Sequence, residues 1–315
     1  VTGGTTAVVL NWNRADLTCR AARSLLAVRD PEISVVVVDN GSAGDDVRLI
    51  REGVPAARVI ALPANVGFAR AVNVGATAAL RNGAEYVLVF NNDAQVDPGS
   101  TVIGDMLRAL EDDATLGAAG AVIANDDAAA SLQSSGYRYA MWFPVPRAKR
   151  GVPRGRMLLP RTGFLSGAAQ LIRARAFATV GGFDPDFFLY GDDVDFARRL
   201  RAAGFRTSVV ATPGIRHARA ASVRLGSPAY VYTALRANLI LIGKHARWYE
   251  RPSAFVTSLL VTVGLSLLGA RHGHPGAFLS ALRAWRDYAT HRWGGYDGTH
   301  LQPVGRPSLA DLPLG

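Results

Sequence analysis

The sequence predicts an α/β fold: a Rossmann-like, mostly parallel central sheet flanked by helices, followed by a C-terminal helical extension. Three observations predict it. Short apolar runs alternate with segments of helical periodicity through the first half of the chain. Four of those runs deliver polar residues to what would be one edge of a sheet. Past Ser222 the composition changes to long apolar and amphipathic stretches. Strand alternating with helix favours parallel pairing through right-handed crossovers, and open sheets of this kind bind ligands beyond the carboxyl ends of their strands.

The elements follow in order. Thr6–Leu10 is an apolar strand ending in Asn11-Trp12-Asn13, and Asp16–Val28 places Leu17, Ala21, Leu25 and Val28 on one helical face. After Asp30-Pro31, the run Ile33–Val38 ends in Asp39-Asn40-Gly41-Ser42. A weaker strand, Arg58–Leu62, precedes Asn65-Val66-Gly67 and an alanine-rich helix through Leu80. Tyr86–Phe90 reads as a central strand buried on both faces, and it stops abruptly at Asn91-Asn92-Asp93. A carboxylate fixed there, between amide oxygens, can hold a hard divalent cation and through it a diphosphate; an Asx turn that merely closes the strand is the alternative. Asp39 is placed to accept hydrogen bonds from a base or ribose. Gly67 would let backbone amides approach a phosphate.

Composition bounds the partners. The chain has 315 residues, 35 basic and 25 acidic, for a formal charge of +10 and an isoelectric point near 10.3. Such a balance attracts polyanions: nucleic acid, anionic headgroups, sugar nucleotides or lipid diphosphates. No nucleic-acid module is recognisable, so nucleic acid ranks last. Cys19 is the single cysteine, which suits a reducing compartment, and no basic-then-apolar signal opens the chain, so a cytoplasmic location is expected. Neither Gly-x-Gly-x-x-Gly after the first strand nor Gly-x-x-x-x-Gly-Lys-Ser/Thr occurs, which argues against a nicotinamide dehydrogenase and a P-loop ATPase.

The ordered series Val9-Leu10-Asn11-Trp12-Asn13-Arg14, Val37-Val38-Asp39-Asn40-Gly41-Ser42, Asn65–Gly75, Asn91-Asn92-Asp93, Gly163–Ala168, Gly181-Gly182-Phe183-Asp184 and Phe188–Asp195 resembles inverting family-2 glycosyltransferases of the GT-A fold, in the rhamnosyltransferase-like branch. The likeness runs from about Ala7 to Ser222. It implies a catalytic segment over 1–222, with a nucleotide-sugar half to about residue 100 and an acceptor half over 101–222, and an extension over 223–315. It also implies that Asn11, Asn13, Asp39, Asn65, Gly67, Asn73, Asn91 and Asn92 serve the nucleotide site, and that Asp93 binds Mg²⁺ or Mn²⁺ through the donor's diphosphate. Asn91 stands where the family's first metal-motif carboxylate is usual, removing one negative charge.

The second centre is Asp192-Asp193-Val194-Asp195 at a helix start, where capping and dipole compensation are the alternative to catalysis. The resemblance assigns Asp193 as the general base, with Asp192 binding acceptor or orienting that base, and the helix N-terminus is expected to keep Asp193 ionised at neutral pH. It assigns His217 as a metal ligand; His245, His272, His274, His291 and His300 have no ligand spacing. Residues 126–161, with Tyr137, Tyr139, Trp142 and Phe143 among arginines, are expected to form an irregular, mobile loop that shapes acceptor choice. Residues 253–270 carry no charge, with Arg251 before and Arg271 after. They are expected to pack on the catalytic domain or lie peripherally on an anionic membrane face rather than to span it. The tail after Gly294 is expected to be irregular.

The implied activity is inverting transfer of a sugar, L-rhamnose above others, from a dTDP- or UDP-linked donor to a glycan, lipid-linked or small-molecule hydroxyl. A sugar nucleotidyltransferase and a non-catalytic nucleotide-sugar-binding scaffold are the alternatives.

Overall fold

The computed structural model describes residues 4–127, 129–218 and 223–292; the expected boundary at Ser222, the tail after Gly294 and His300 lie outside the described residues. The first half is the expected alternation: β1 (Thr5–Asn11), α1 (Ala15–Leu26), β2 (Ile33–Asp39), α2 (Asp46–Gly53), β3 (Arg58–Ala61), α3 (Phe68–Arg81) and β4 (Tyr86–Phe90). These strands lie side by side in the order β4-β1-β2-β3, all parallel. Their register sets Asn11 opposite Asp39, so the polar ends emerge together.

Successive side chains of a strand point to opposite faces, and both faces here are apolar. Ala7, Val9, Val35 and Val37 pack with Cys19, Ala21 and Leu25 of α1 on one side. Val8, Val36 and Val38 pack with Ala69, Val72 and Ala76 of α3 on the other. Gly75 permits that second contact, because a Cβ there would come 2.4 Å from Val8 Cγ1 and 2.9 Å from Val38 Cγ2. Cys19 is buried, and burial raises its thiol pKa, which keeps it inert.

The second half adds β5 (Ala94–Val96), α4 (Val102–Glu111), β6 (Leu116–Asn125), β7 (Leu132–Ser134), β8 (Tyr137–Ala140), β9 (Phe143–Ala148), β10 (Met157–Leu158), β11 (Gly163–Phe164), β12 (Ala169–Arg173), α5 (Ala174–Val180), α6 (Asp192–Ala202) and β13 (Arg206–His217). The main sheet runs β10-β13-β6-β12-β4-β1-β2-β3, with β5 joined to β13 and β7 to β6. Within it β12 is antiparallel to both neighbours.

Two expectations are corrected. Residues 126–161 are not an irregular loop: β8 and β9 form an antiparallel pair completed by β11, Tyr137 stacks on Phe164 with ring centroids 5.3 Å apart, and the Arg147 guanidinium lies 4.5 Å from the Phe143 ring centre. Ser208–Pro213 reads from sequence as a strand and turn before His217, but the strand continues to His217, through a register shift between Val210 and Ile215. A bulge is where a strand tolerates proline.

Three helices close the described chain: α7 (Pro228–His245), α8 (Arg251–Arg271) and α9 (Ala277–Ala289). Ser227 caps α7, its side chain accepting from Tyr230 N, with Pro228 in the first turn. The end of α7 is tied to the α/β body. Lys244 Nζ reaches Asp184 at 2.7 Å and Asp186 at 2.5 Å, while His245 Nε2 lies 2.7 Å from Asp195.

Candidate active site

A cleft of about 670 Å³ opens at the carboxyl ends of β1, β2 and β4. Its floor is a polar network that the parallel register assembles. Asn11 Nδ2 donates to Asp39 Oδ1 at 2.7 Å, Thr18 Oγ1 donates to Asn11 Oδ1 at 2.7 Å, and Asn92 Nδ2 donates to Thr18 at 3.2 Å. Asp39 also accepts from the Ser42 backbone N–H and is 2 % exposed. It therefore sits beneath the cleft, holding Asn11, while Asn11, Trp12 and Asn40 form the lining above it.

Asn40, which no site assignment from sequence included, pins the next loop: its side chain accepts from Val66 N at 2.9 Å and donates to Asn65 Oδ1 at 3.0 Å. Asn65 Oδ1 in turn accepts from Gly67 N. Gly67 is left-handed, with φ of 85°, and a Cβ there would lie 2.7 Å from Phe188 O. The group its bareness admits is thus the Phe188 backbone, whose carbonyl accepts from Phe68 N at 2.7 Å. This contact fastens the nucleotide half to the segment before α6. Besides Asp39, two further expected residues are not brought to the lining. Asn73 is occupied at both ends of its amide by Phe183, and Asn13 braces the 42–43 turn, its backbone N–H donating to Ser42 Oγ and its Oδ1 accepting from Ala43 N.

Beyond β4 the backbone turns sharply, Ala94 N donating to Asn91 O at 3.1 Å, and enters β5. The turn and the ligand reading are one feature here, because β5 pairs with β13 and sets Ala94 against His217. Asp93 Oδ1 comes 3.1 Å from His217 Nε2, and both side chains are largely buried. Gln133, 5 % exposed on β7, meets His217 Nδ1 at 3.1 Å; with its Oε1 as acceptor a proton would be held on Nδ1, and Nε2 would be the atom that binds a cation. Two donors at right angles on an octahedral ion, each at about 2.1 Å, stand about 3.0 Å apart. The pair fits that spacing. Among the described residues no third His, Cys, Asp or Glu joins them, so an ion held here would complete its shell from water and phosphate oxygens, as Mg²⁺ commonly does. The described cleft lining contains no Lys or Arg.

The opposite wall carries the carboxylates. Tyr190 and Gly191 both have positive φ, 67° and 78°, and this tight entry delivers Asp192 and Asp193 into the cleft. A non-glycine residue held in that region stores strain at a functional position. Asp195, one turn on and fully buried, is committed elsewhere: Arg199 Nε donates to it at 2.7 Å, with His245 on its other oxygen. Asp193 accepts from Val194 N at 2.8 Å. Burial nevertheless outweighs that bond and pushes the Asp193 carboxyl up to about 7. The expectation that the helix N-terminus keeps Asp193 fully ionised at neutral pH is therefore corrected. Burial, then the neighbouring Asp193 charge, raises the Asp192 carboxyl well above the usual carboxylate range.

Sequence reasoning missed the apolar walls. Trp12, Phe68, Phe188, Leu189 and Tyr190 line the cleft, and so do Val223, Ala229 and Thr233 from the start of the C-terminal extension. Trp12 and Tyr190 stood inside quoted motifs; Thr233 lies on an unremarkable helical turn and had no signal. None of residues 126–161 is part of the described lining.

Residues 6–181 match the model of a family described as Glycosyl transferase family 2, and residues 151–265 match a second, Glycosyl transferase family group 2. The chain is 28% identical over 258 residues to an N-acetylglucosaminyl-diphospho-decaprenol L-rhamnosyltransferase of Mycobacterium tuberculosis, covering 74% of this chain and 82% of that one. It is 29% identical over 200 residues to the galactofuranosyltransferase GlfT1 of the same organism, covering 63% and 64%. Among solved structures it superposes on a mannosyltransferase of Pyrobaculum calidifontis in complex with GDP-Man and Mn²⁺, with a TM-score of 0.52, 16% identity and coverage of 95% and 88%. It also superposes on residues 1–349 of S. aureus TarS, with a TM-score of 0.51, 14% identity and coverage of 96% and 100%. The architecture is GT-A with added C-terminal helices.

Proposed function

Because the chain belongs to glycosyl transferase family 2 and is a glycosyltransferase, we propose that it moves an L-rhamnosyl unit, with inversion, from a dTDP- or UDP-linked donor to a hydroxyl of a lipid-linked glycan. The observation that carries the mechanism is that Asp193 and the Asp93–His217 pair line one cleft. The sugar and the lipid carrier are suggested by the rhamnosyltransferase relative, whose name specifies a decaprenyl diphosphate-linked N-acetylglucosamine. With such an acceptor the reaction belongs to the cytoplasmic face of a membrane.

In this reading Trp12, Asn40, Asn65 and Gly67 hold the nucleotide over the network of Asn11 and Asp39. Asp93 and His217 would hold Mg²⁺ or Mn²⁺, whose charge offsets that growing on the departing diphosphate. Asp193 accepts the proton of the acceptor hydroxyl as its oxygen forms the new bond to the anomeric carbon, while the bond from that carbon to the diphosphate oxygen breaks on the opposite face. A base with a pKa near the working pH is suited to this, and its removal typically lowers the rate by about 10²–10⁴-fold. Asp192, in the same lining, is placed to orient the acceptor or Asp193.

The test is incubation of the full chain with dTDP-L-rhamnose, Mn²⁺ and a polyprenyl diphosphate-linked N-acetylglucosamine. Release of nucleoside diphosphate together with a product of inverted anomeric configuration supports the reading. Release of free diphosphate from a parallel incubation with dTTP and a sugar 1-phosphate would instead assign a nucleotidyltransferase, and nucleotide binding without turnover in either mixture would favour a scaffold.

A further inference from the structure

We propose that the outer face of α8 and α9 is a docking surface for an anionic lipid bilayer, on which the protein lies without crossing it; this rests on the lipid-linked acceptor reading for its purpose but not for its test. Phe255, Val256, Leu259, Leu260, Val263 and Leu267 are each 45–67 % exposed. At 100° per residue they fall within an arc of about 140° on α8. Phe278, Leu279 and Leu282 of α9 are 48–68 % exposed and continue the same kind of face. An exposed apolar surface of this extent marks an interaction site rather than ordinary scatter.

Charge selects the occupant. Arg247, Arg251 and Arg271 flank α8 and are exposed, against one carboxylate there, Glu250, while Arg283 and Arg286 are paired with Asp287. At the turn into α8, Trp248 is 81 % and Tyr249 53 % exposed. Amphipathic aromatic rings beside arginines suit the headgroup layer. A second protein copy with the same positive rim would meet like charge, whereas acidic headgroups complement it.

Length alone would let α8 cross a bilayer, but its other side is fastened to its neighbours. Asn238 Nδ2 of α7 donates to Ser258 Oγ at 3.2 Å and Trp285 Nε1 of α9 donates to Thr262 Oγ1 at 3.0 Å. Ala254, Ser258 and Thr262 are buried. A helix bonded sideways on one face and bare on the other lies in an interface plane. The placement also suits the cleft. Thr233 of α7 lines the cleft, and Ile242 lines the cavity of about 300 Å³ beneath α8 and α9; nine residues of helix separate them by about 14 Å.

The experiment is co-sedimentation of the full chain with vesicles of phosphatidylcholine alone or mixed with phosphatidylglycerol, alongside analytical ultracentrifugation without lipid. The expected result is binding to the anionic vesicles that weakens with salt, falls about fivefold in Arg271→Ala, and is lost in the triple variant Leu260→Glu, Leu267→Glu, Leu279→Glu. That variant should melt like the parent and bind nucleoside diphosphate equally well, since all three side chains are exposed. A parent that stays in the supernatant with every vesicle overturns the proposal, as does a parental dimer that the triple variant converts to monomer without any lipid binding. Either failure leaves the cleft chemistry standing, because nucleotide binding is read separately.

Discussion

Asp193→Asn should make the protein more stable while disabling it, and the gain should depend on pH. The Asp193 carboxyl is pushed up to about 7 by burial, against about 3.9 for an unfolded aspartate. Between those values the folded chain binds the proton that the unfolded chain releases, so the stability this site contributes is full below about pH 4 and is lost as pH rises to about 7. At about 1.4 kcal/mol per unit the three-unit difference sets an upper limit near 4 kcal/mol, and residual solvent contact brings the expected figure to about 2–4 kcal/mol. Asparagine carries no charge and its Oδ1 can still accept from Val194 N, so the variant escapes the loss. Thermal melting of both proteins from pH 4.5 to 8.5 should show a gap on the order of 5 °C at the alkaline end that closes towards the acid end. Turnover should fall by about 10²–10⁴-fold. A gap independent of pH, or a variant less stable at pH 8, would show that Asp193 is held ionised and is not a poised base.

Other expectations follow from the same geometry. The acid limb of kcat/KM should have its midpoint near pH 7, since Asp193 must lose its proton to act; a flat profile from pH 5.5 to 8 would contradict this. Gln133→Leu removes the acceptor on His217 Nδ1 and should lower Mn²⁺ affinity, read by calorimetry, about 10–100-fold, whereas unchanged affinity would leave Gln133 a purely structural residue. Gly67→Ala drives a methyl against Phe188 O in a left-handed backbone and should cost about 1–3 kcal/mol in urea unfolding; a neutral effect would mean that the Phe188 segment yields freely. Asp195→Ala leaves the nine-tenths-buried Arg199 side chain without its carboxylate and should cost about 3–5 kcal/mol, a loss that wild-type-like melting would refute.

The parallel half was legible because each strand there is a short apolar run with an abrupt polar end, and parallel register converts four such ends into one site. Asp93 and Asp193 became candidates through the resemblance, since a strand-closing turn and a helix cap use the same residue types, and the fold brings both to the lining of one cleft. The roles of buried polar residues were not legible. Asp39 and Asn73 look alike in sequence to residues that touch a ligand, yet one holds Asn11 and the other Phe183, and only the fold shows which polar group faces inward. The 126–161 region misled because β9 contains Pro144 and Pro146, which read as breakers; as the edge strand of its small sheet, it can lack amide donors on the open side. The raised pKa of Asp193 was equally hidden, since a cleft closed partly by Thr233 of α7 cannot be read from the helix start alone.

The proposed chemistry requires a donor site completed by a cation at Asp93 and His217. Calorimetric titration of dTDP and UDP into the wild-type chain and Asp93→Ala, each in Mn²⁺ and in EDTA, tests that site. One nucleoside diphosphate should bind the wild type tightly only with Mn²⁺, and Asp93→Ala should lose the cation-dependent part. Equal affinity in Mn²⁺ and EDTA, or an Asp93→Ala protein that keeps the full Mn²⁺ effect, would contradict it.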